Sequence, residues 1–291
     1  MDFIQQLLNG LQLGSIYALV ALGYTMVYGI AKLINFAHGD IIMVGSYIAL
    51  TCFTQFNMSV IETILVAVVS CSVIGVVIER VAYKPLRNSS RLAALITTIG
   101  TSLLLQNLFL IMFGSSPRPF PNKFPTTTID VGGLKISFIT IATIVITLVI
   151  MVLLSLFVSK TKLGKAMRAV SEDAGAAQLM GINTDTTISV TFAIGCALAA
   201  VAAVLYSSTY PLINPYMGSM LGLKAFIAAV LGGIGIIPGA MLGGFIMGIA
   251  EALTKGYIST TLADAVVFVI LIFVLIFKPS GLLGKNVKEK V

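Results

Sequence analysis

The sequence predicts an all-α, polytopic membrane protein, and three observations lead there. Of the 291 residues, 58% are hydrophobic and only 10% are charged, where a soluble domain carries about a quarter charged residues. The mean hydropathy is +1.04. Apolar runs of about 20 residues, the helix length that crosses a bilayer, recur along the whole chain. A membrane β-barrel would need segments of about ten residues with alternating polarity, and the sequence has no such series.

The uncharged intervals place spans at 8–30, 41–57, 61–78, 92–113, 137–158, 187–210, 222–237, 239–254 and 262–277. The first follows an N-terminus with neither a basic leader nor a small-residue cleavage site, so it is expected to stay in the mature protein. Spans 61–78 and 92–113 flank a basic cluster of Arg80, Lys84, Arg87 and Arg91. Residues 114–136, rich in Pro, Thr and Gly, read as an external loop. Residues 159–186 read as a cytoplasmic loop opened by Lys160, Lys162, Lys165 and Arg168, and the last span runs into Lys278, Lys285, Lys288 and Lys290. Basic residues gather in cytoplasmic loops, which puts these three clusters and the C-terminus inside. Arg118, Lys123 and Lys135 in the outer loop run against that bias, but the inner clusters are denser. This accounts for the net charge of +7. No arginine-aromatic stripe points to nucleic acid.

Two stretches interrupt the spans. "LINFAHGDIIMVGSY" (33–47) contains Asn35, Phe36, His38, Gly39 and Asp40, and "LGGIGIIPGAMLGG" (231–244) contains Gly232, Gly233, Gly235, Pro238 and Gly239. Non-helical backbone at membrane depth survives only where protein or a water-filled cavity satisfies its amides. In transporters, interrupted segments at matching positions of two halves mark the substrate pathway. Gly39 and Gly45 before one apolar helix, and Gly239 and Gly243 before another, suggest an internal repeat. About 8–9 transmembrane helices result, some broken or re-entrant: eight with one re-entrant segment, or nine with an external N-terminus. The polar residues of the first stretch have two readings. They line or gate a pathway, or they cap a helix break near an interface.

Between two greasy spans lies "AVSEDAGAAQLMGI" (169–182). Ser171 is expected to cap a short helix, with Glu172 and Asp173 in the first turn where the helix dipole favours negative charge. Ala174, Gly175, Ala176 and Ala177 make it slim, and Gly181 stops it. A slim helix held on the inner surface by two spans suits a lever gripped by a soluble partner.

This stretch resembles the coupling loop of ABC-importer permeases, with its Ala-Ala pair and nearby glycine. The two interrupted stretches, the opening "LLNGLQLGSIYALVALGYTMVYGI" and the closing "LIFKPSGLLG" are similar to those of branched-chain amino acid permeases, so the resemblance covers essentially the whole chain. The length fits the shorter, LivH-type subunit. The resemblance implies a single permease domain in a bacterial inner membrane. Its partners would be a homologous LivM-type permease, two ABC ATPase subunits and a periplasmic or lipid-anchored substrate-binding protein. It further implies that Ser171–Met180 seats in an ATPase cleft and that cargo moves into the cytoplasm.

The residues allow this division of labour independently. No G-x-x-x-x-G-K-[ST] phosphate loop occurs, so ATP is expected on partner subunits and no cofactor on this chain. No enzyme or metal motif stands out. Cys52, Cys71 and Cys196 lie in apolar runs and are read as packing residues. Lys224 is expected to snorkel near a surface; Glu62, Glu79, Glu251 and Asp264 are expected to be solvated or interfacial near segment ends. Gly195, Ala197, Ala199, Ala200 and Ala202 are read as a close-packing helix face. Permeases for another small solute, an ion-coupled transporter, and a channel or scaffold are the competing readings.

Overall fold

Lipid offers no hydrogen bonds, so each apolar interval must close its own backbone ladder as a helix. A computed structural model describes residues 2–87, 89–125, 127–131 and 134–284. All nine intervals become helices: α1 (Asp2–Ala31), α2 (His38–Thr54), α3 (Val60–Ile78), α4 (Arg91–Phe113), α5 (Phe138–Lys160), α8 (Thr184–Thr209), α9 (Met217–Gly232), α10 (Ile237–Tyr257) and α11 (Ala263–Phe277). Two short helices, α6 (Lys162–Glu172) and α7 (Ala174–Leu179), fill the loop between α5 and α8. Among the described residues, six helices are long and apolar enough to cross a membrane: α1, α3 with its extension to Leu86, α4, α5, α8 and α10. At 1.5 Å per residue, α2 and α9 are about 24–26 Å long, short of a hydrocarbon core of about 30 Å. They are discontinuous helices embedded among complete ones.

Burial sorts the bundle into a centre and a sheath. In its most apolar window α1 is 83% buried, whereas α5 is 17% buried. Helix α1 packs along α10, α8 and α9, with α2 against α8 and α9. On α3 the residues Ile61, Leu65, Val69, Val73 and Val77 recur every fourth position and are all exposed, an apolar stripe that belongs against lipid or another membrane subunit.

The α1–α10 contact is built from glycine. A Cβ on Gly10 would sit 2.7 Å from Ile249 Cα, and one on Gly14 would sit 2.8 Å from Phe245 Cα. Gly244 and Gly248 face back from α10 onto Ala18 and Gly14. Both helices carry glycines four apart, the spacing that lets backbones approach closely in membranes. Most of the expected small-residue face on α8 packs: Gly195 meets Gly23 and Val27 of α1, and Ala199, Ala200 and Ala202 are fully buried, while Ala197 is only partly buried.

The loop at 114–136 is more ordered than its composition suggests. Strand β1 (Arg118–Pro119) pairs with β4 (Leu212–Ile213), and β2 (Thr128–Val131) forms a hairpin with β3 (Leu134–Ser137), both antiparallel. Lys123 Nζ donates to Asn57 Oδ1 at 2.6 Å, tying this loop to the α2–α3 turn. These segments and the N-terminal end of α1 gather at one end of the bundle; α6, α7 and the start of α8 lie at the other. Lys285, Lys288 and Lys290 lie outside the described residues.

Three electrostatic expectations need correcting, those for Lys224, Glu251 and Glu79. Lys224 does not snorkel: it is 7% exposed and pairs with Glu251 at 2.8 Å and Asp264 at 2.6 Å. Glu251 is buried rather than solvated, and also accepts from the Tyr17 hydroxyl at 2.6 Å and from Lys255 at 2.7 Å. Asp264, although half-exposed, is held by Lys224. Glu79 is fully buried, paired with Arg87 and accepting from Ser189 Oγ at 2.6 Å. A buried charge is tolerated only when it is paired and hydrogen-bonded, and these are. Glu62 stays exposed in a capping box with Ser59, whose N–H donates to Glu62 Oε2 at 2.8 Å.

Candidate functional site

The loop between α5 and α8 folds as an elbow. Thr161 caps α6, its hydroxyl accepting from Gly164 N–H at 3.0 Å. The helix then runs through Ser171 and Glu172, so these two residues sit in its last turn. The expectation that Ser171 caps the short helix is therefore wrong: the Ser171 hydroxyl donates back to Arg168 C=O at 2.7 Å. The break falls two residues later, at Asp173. Asp173 leaves helical geometry (φ −151°, ψ 109°), and its carboxylate accepts from Ala176 N–H at 2.9 Å, capping α7. The acidic residue expected to complement the dipole is itself the cap. Gly181 ends α7 at φ +82° with open space around it, as expected.

One face of the elbow is anchored and the other is presented. Ala177 is 4% exposed and packs with Val170, Val27, Tyr83, Ile188 and Phe192. Ala174, Gly175 and Ala176 face outward, and at the tip Leu179 and Met180 are 91% and 83% exposed. These two large side chains form an exposed apolar tip on a projection otherwise made largely of small residues.

Beneath the elbow, α3 widens into a π-turn (Glu79–Tyr83) followed by a 3₁₀ turn (Lys84–Leu86). Here Arg87 bridges Glu79 and Asp185, and Lys84 reaches Asp185 at 2.7 Å. This ionic clamp fixes the end of α3 to the start of α8, where Asn183 caps Thr186 N–H at 3.0 Å. An open cavity of about 430 Å³ beside it is lined by Arg80, Lys84, Asn183, Asp185, Thr186 and Ser189.

The interrupted stretches occupy two heights on α9. Asn35 serves as a cap: its Oδ1 accepts from Ala37 N–H at 3.1 Å and from the Tyr83 hydroxyl at 2.7 Å. Phe36 meets Phe226 (centroids 6.2 Å), and His38 meets Tyr24 edge-on at 4.7 Å. Asp40 Oδ1 accepts from Gln106 Nε2 at 3.0 Å. No hydrogen bond of ordinary geometry reaches either His38 ring nitrogen or Asp40 Oδ2, although the Val20 backbone and the Ser102 hydroxyl lie close to them. Gly39 packs against Gly218 and Gly222, near the start of α9.

Gly232, Gly233, Gly235, Pro238 and Gly239 make the tight α9–α10 turn at the other end of α9, about 15 Å of helix rise away from Gly222. Gly232 and Gly239 touch backbone to backbone, Gly233 and Gly235 take φ +105° and +93°, and Pro238 stands in the first turn of α10. Leu282 N–H and Leu283 N–H donate to Leu231 C=O (2.8 Å) and Gly232 C=O (3.1 Å). The C-terminal segment thereby satisfies carbonyls that the end of α9 would leave open. The two stretches do not form a single site within this chain.

A buried helical core, complete and discontinuous spans, and an elbow projecting from one end define a multi-pass membrane permease. Residues 6–275 match the family model described as "Branched-chain amino acid transport system / permease component", and the chain belongs to that family. It is 49% identical to the high-affinity branched-chain amino acid transport system permease protein LivH of Escherichia coli K12. Identity is 48% to LivH of Salmonella typhimurium LT2 and 46% to BraD of Pseudomonas aeruginosa, described in the same terms. Each match covers 99% of this chain and 98% of the relative.

Proposed function

We propose that this chain is the membrane permease of an ABC importer that carries leucine, isoleucine and valine into the cytoplasm. Partner ATPases would drive it, a homologous permease would complete the membrane core, and a binding protein would supply cargo from the periplasmic side. The elbow is the observation that carries the mechanism. The bundle end that bears it also carries Arg80, Lys84, Arg87, Lys160, Lys162, Lys165 and Arg168, which favours the cytoplasmic side. In that orientation residues 159–186 are cytoplasmic, 114–136 external, the N-terminus external and the C-terminus cytoplasmic.

Ser171, Glu172, Asp173, Ala174, Gly175, Ala176, Ala177 and Gly181 then belong to the ATPase-facing elbow. Leu179 and Met180 enter the ATPase cleft, and Ala177 holds the elbow to the bundle. A packed route leads inward from it. The cluster around Ala177 includes Tyr83, Tyr83 holds Asn35, and Asn35 caps the turn that enters α2. Movement of the elbow would shift α2 against α9 at Gly39, where Phe36, His38 and Asp40 gather. Gly232–Gly239 would serve as the hinge at the other end of α9. Full-length similarity to branched-chain amino acid permeases supports the cargo.

The test is uptake by proteoliposomes containing the whole assembly. Labelled leucine should accumulate only with internal ATP and external binding protein. Uptake driven by an ion gradient without ATP would overturn the reading.

A further inference from the structure

At the bundle end opposite the elbow, a cavity of about 210 Å³ opens between the first half of α1, the last turn of α8 and the last turns of α10. At about 30 Å³ per liquid water, it holds on the order of seven waters or one small solute. Its floor is aliphatic: Leu13, Ile16 and Ala252. Its polar lining is concentrated in Gln6, Asn9, Tyr210 and Lys255, with Gln12 and Thr209 between. Gln6 is half-buried and Asn9 exposed, whereas Gln12 is buried and needs partners. Gln12 serves packing: its Nε2 donates to Thr209 at 3.0 Å and its Oε1 accepts from Thr140 at 2.8 Å. Among the described residues, Gln6 and Asn9 make no side-chain hydrogen bond. Lys255 spends one of its three donors on Glu251 at 2.7 Å and remains 39% exposed, which leaves two donors for solvent or a ligand.

From this arrangement we propose that the cavity is an outer subsite for a zwitterionic aliphatic amino acid. Lys255 takes the α-carboxylate. The amide oxygens of Gln6 and Asn9 and the Tyr210 hydroxyl accept from the α-ammonium. The branched side chain lies on the exposed edges of Leu13 and Ala252. Glu251 already accepts from Tyr17, Lys224 and Lys255, so it holds the Lys255 ammonium, and the α-ammonium falls to the neutral oxygens of the lining. A zwitterion with a short apolar chain matches this set, whereas a sugar would leave the cation unanswered and a bare ion would leave the aliphatic floor empty. The subsite rests on the amino-acid importer reading above and deepens it, by giving cargo a first resting place on the permease itself.

The test is photo-labelling of the complete transporter in lipid nanodiscs with the diazirine analogue of leucine, followed by peptide mass spectrometry. The expected adducts fall within residues 6–16 and 252–255 and disappear with excess L-leucine. They should drop at least fivefold in Lys255→Met and in Asn9→Leu; the second removes a rim amide without touching the ion pairs. ATP hydrolysis stimulated by leucine-loaded binding protein is measured on the same nanodiscs. Leucine-dependent hydrolysis with labelling spread evenly over the chain, or labelling unchanged in both variants, overturns the subsite and leaves the importer reading standing. Absence of both leucine-dependent hydrolysis and competed labelling overturns the two together.

Discussion

Replacing Lys224 by methionine should be among the most destabilising single changes in this protein. The substitution removes an ammonium that is 7% exposed and leaves Glu251, 1% exposed, without its partner from α9. Breaking a buried ion pair by deleting one member costs about 3–5 kcal/mol. Glu251 keeps the Tyr17 hydroxyl and Lys255, but Lys255 is 39% exposed and solvent-screened, so the lower end, about 3 kcal/mol, is expected. At about 2–4 °C per kcal/mol for a large domain, the midpoint should fall by about 6–12 °C. The assay is thermal unfolding of the detergent-solubilised chain, monitored by reactivity of Cys52, Cys71 and Cys196, all buried in the fold. The double variant Lys224→Met/Glu251→Leu removes both charges and should recover about 1 kcal/mol or more relative to the sum of the singles. A single-variant loss below about 0.5 kcal/mol, or strict additivity in the double, would refute the buried-pair reasoning.

Further outcomes follow from other contacts. Gly10→Val should cost about 1–3 kcal/mol by overpacking α1 on α10 and lower the yield of folded protein, read by gel filtration in detergent. Arg87→Met should leave Glu79 buried without its cation and cost about 3–5 kcal/mol, whereas Lys84→Met, whose partner Asp185 is half-exposed, should cost no more than about 1 kcal/mol; chemical unfolding separates the two. Asp173→Ala removes the α7 cap, worth about 1 kcal/mol, and hydrogen exchange at 174–180 should quicken about fivefold while the core stays protected. Tyr83→Phe deletes the hydroxyl that holds Asn35. It should leave ATP hydrolysis by the assembly largely intact while leucine uptake falls severalfold.

The spans were legible because the bilayer imposes one local rule on each of them. An uncharged run of sufficient length must be a helix, and all nine intervals are within a few residues of the helices found. The short elbow helix was legible too, though its start was misplaced. Ser171, Glu172 and Asp173 can all occupy an N-terminal turn by composition, and only the backbone break at Asp173 shows which of them caps. What stayed hidden was non-local. Lys224, Glu251 and Asp264 are far apart in sequence, and only the convergence of α9, α10 and α11 makes a charge network in which Lys224 and Glu251 are buried. Glu79 was misread for the same reason, because Arg87 and Ser189 reach it from different elements. One signal was present but unused: glycines spaced by four at 10 and 14 and at 244 and 248 announce the α1–α10 contact. Of the polar residues at the first interruption, Asn35 is a cap, as one reading held, while His38 and Asp40 keep ring and carboxylate atoms without well-formed hydrogen bonds and stay available to the pathway reading.

Attachment of a photo-crosslinker at Leu179, in a background where the native cysteines are shielded, tests the coupling role of the elbow most directly. In the assembled transporter, illumination should join this chain to an ATPase subunit, and nucleotide-driven closure should change the yield. Crosslinking to lipid or to the substrate-binding protein instead would contradict it.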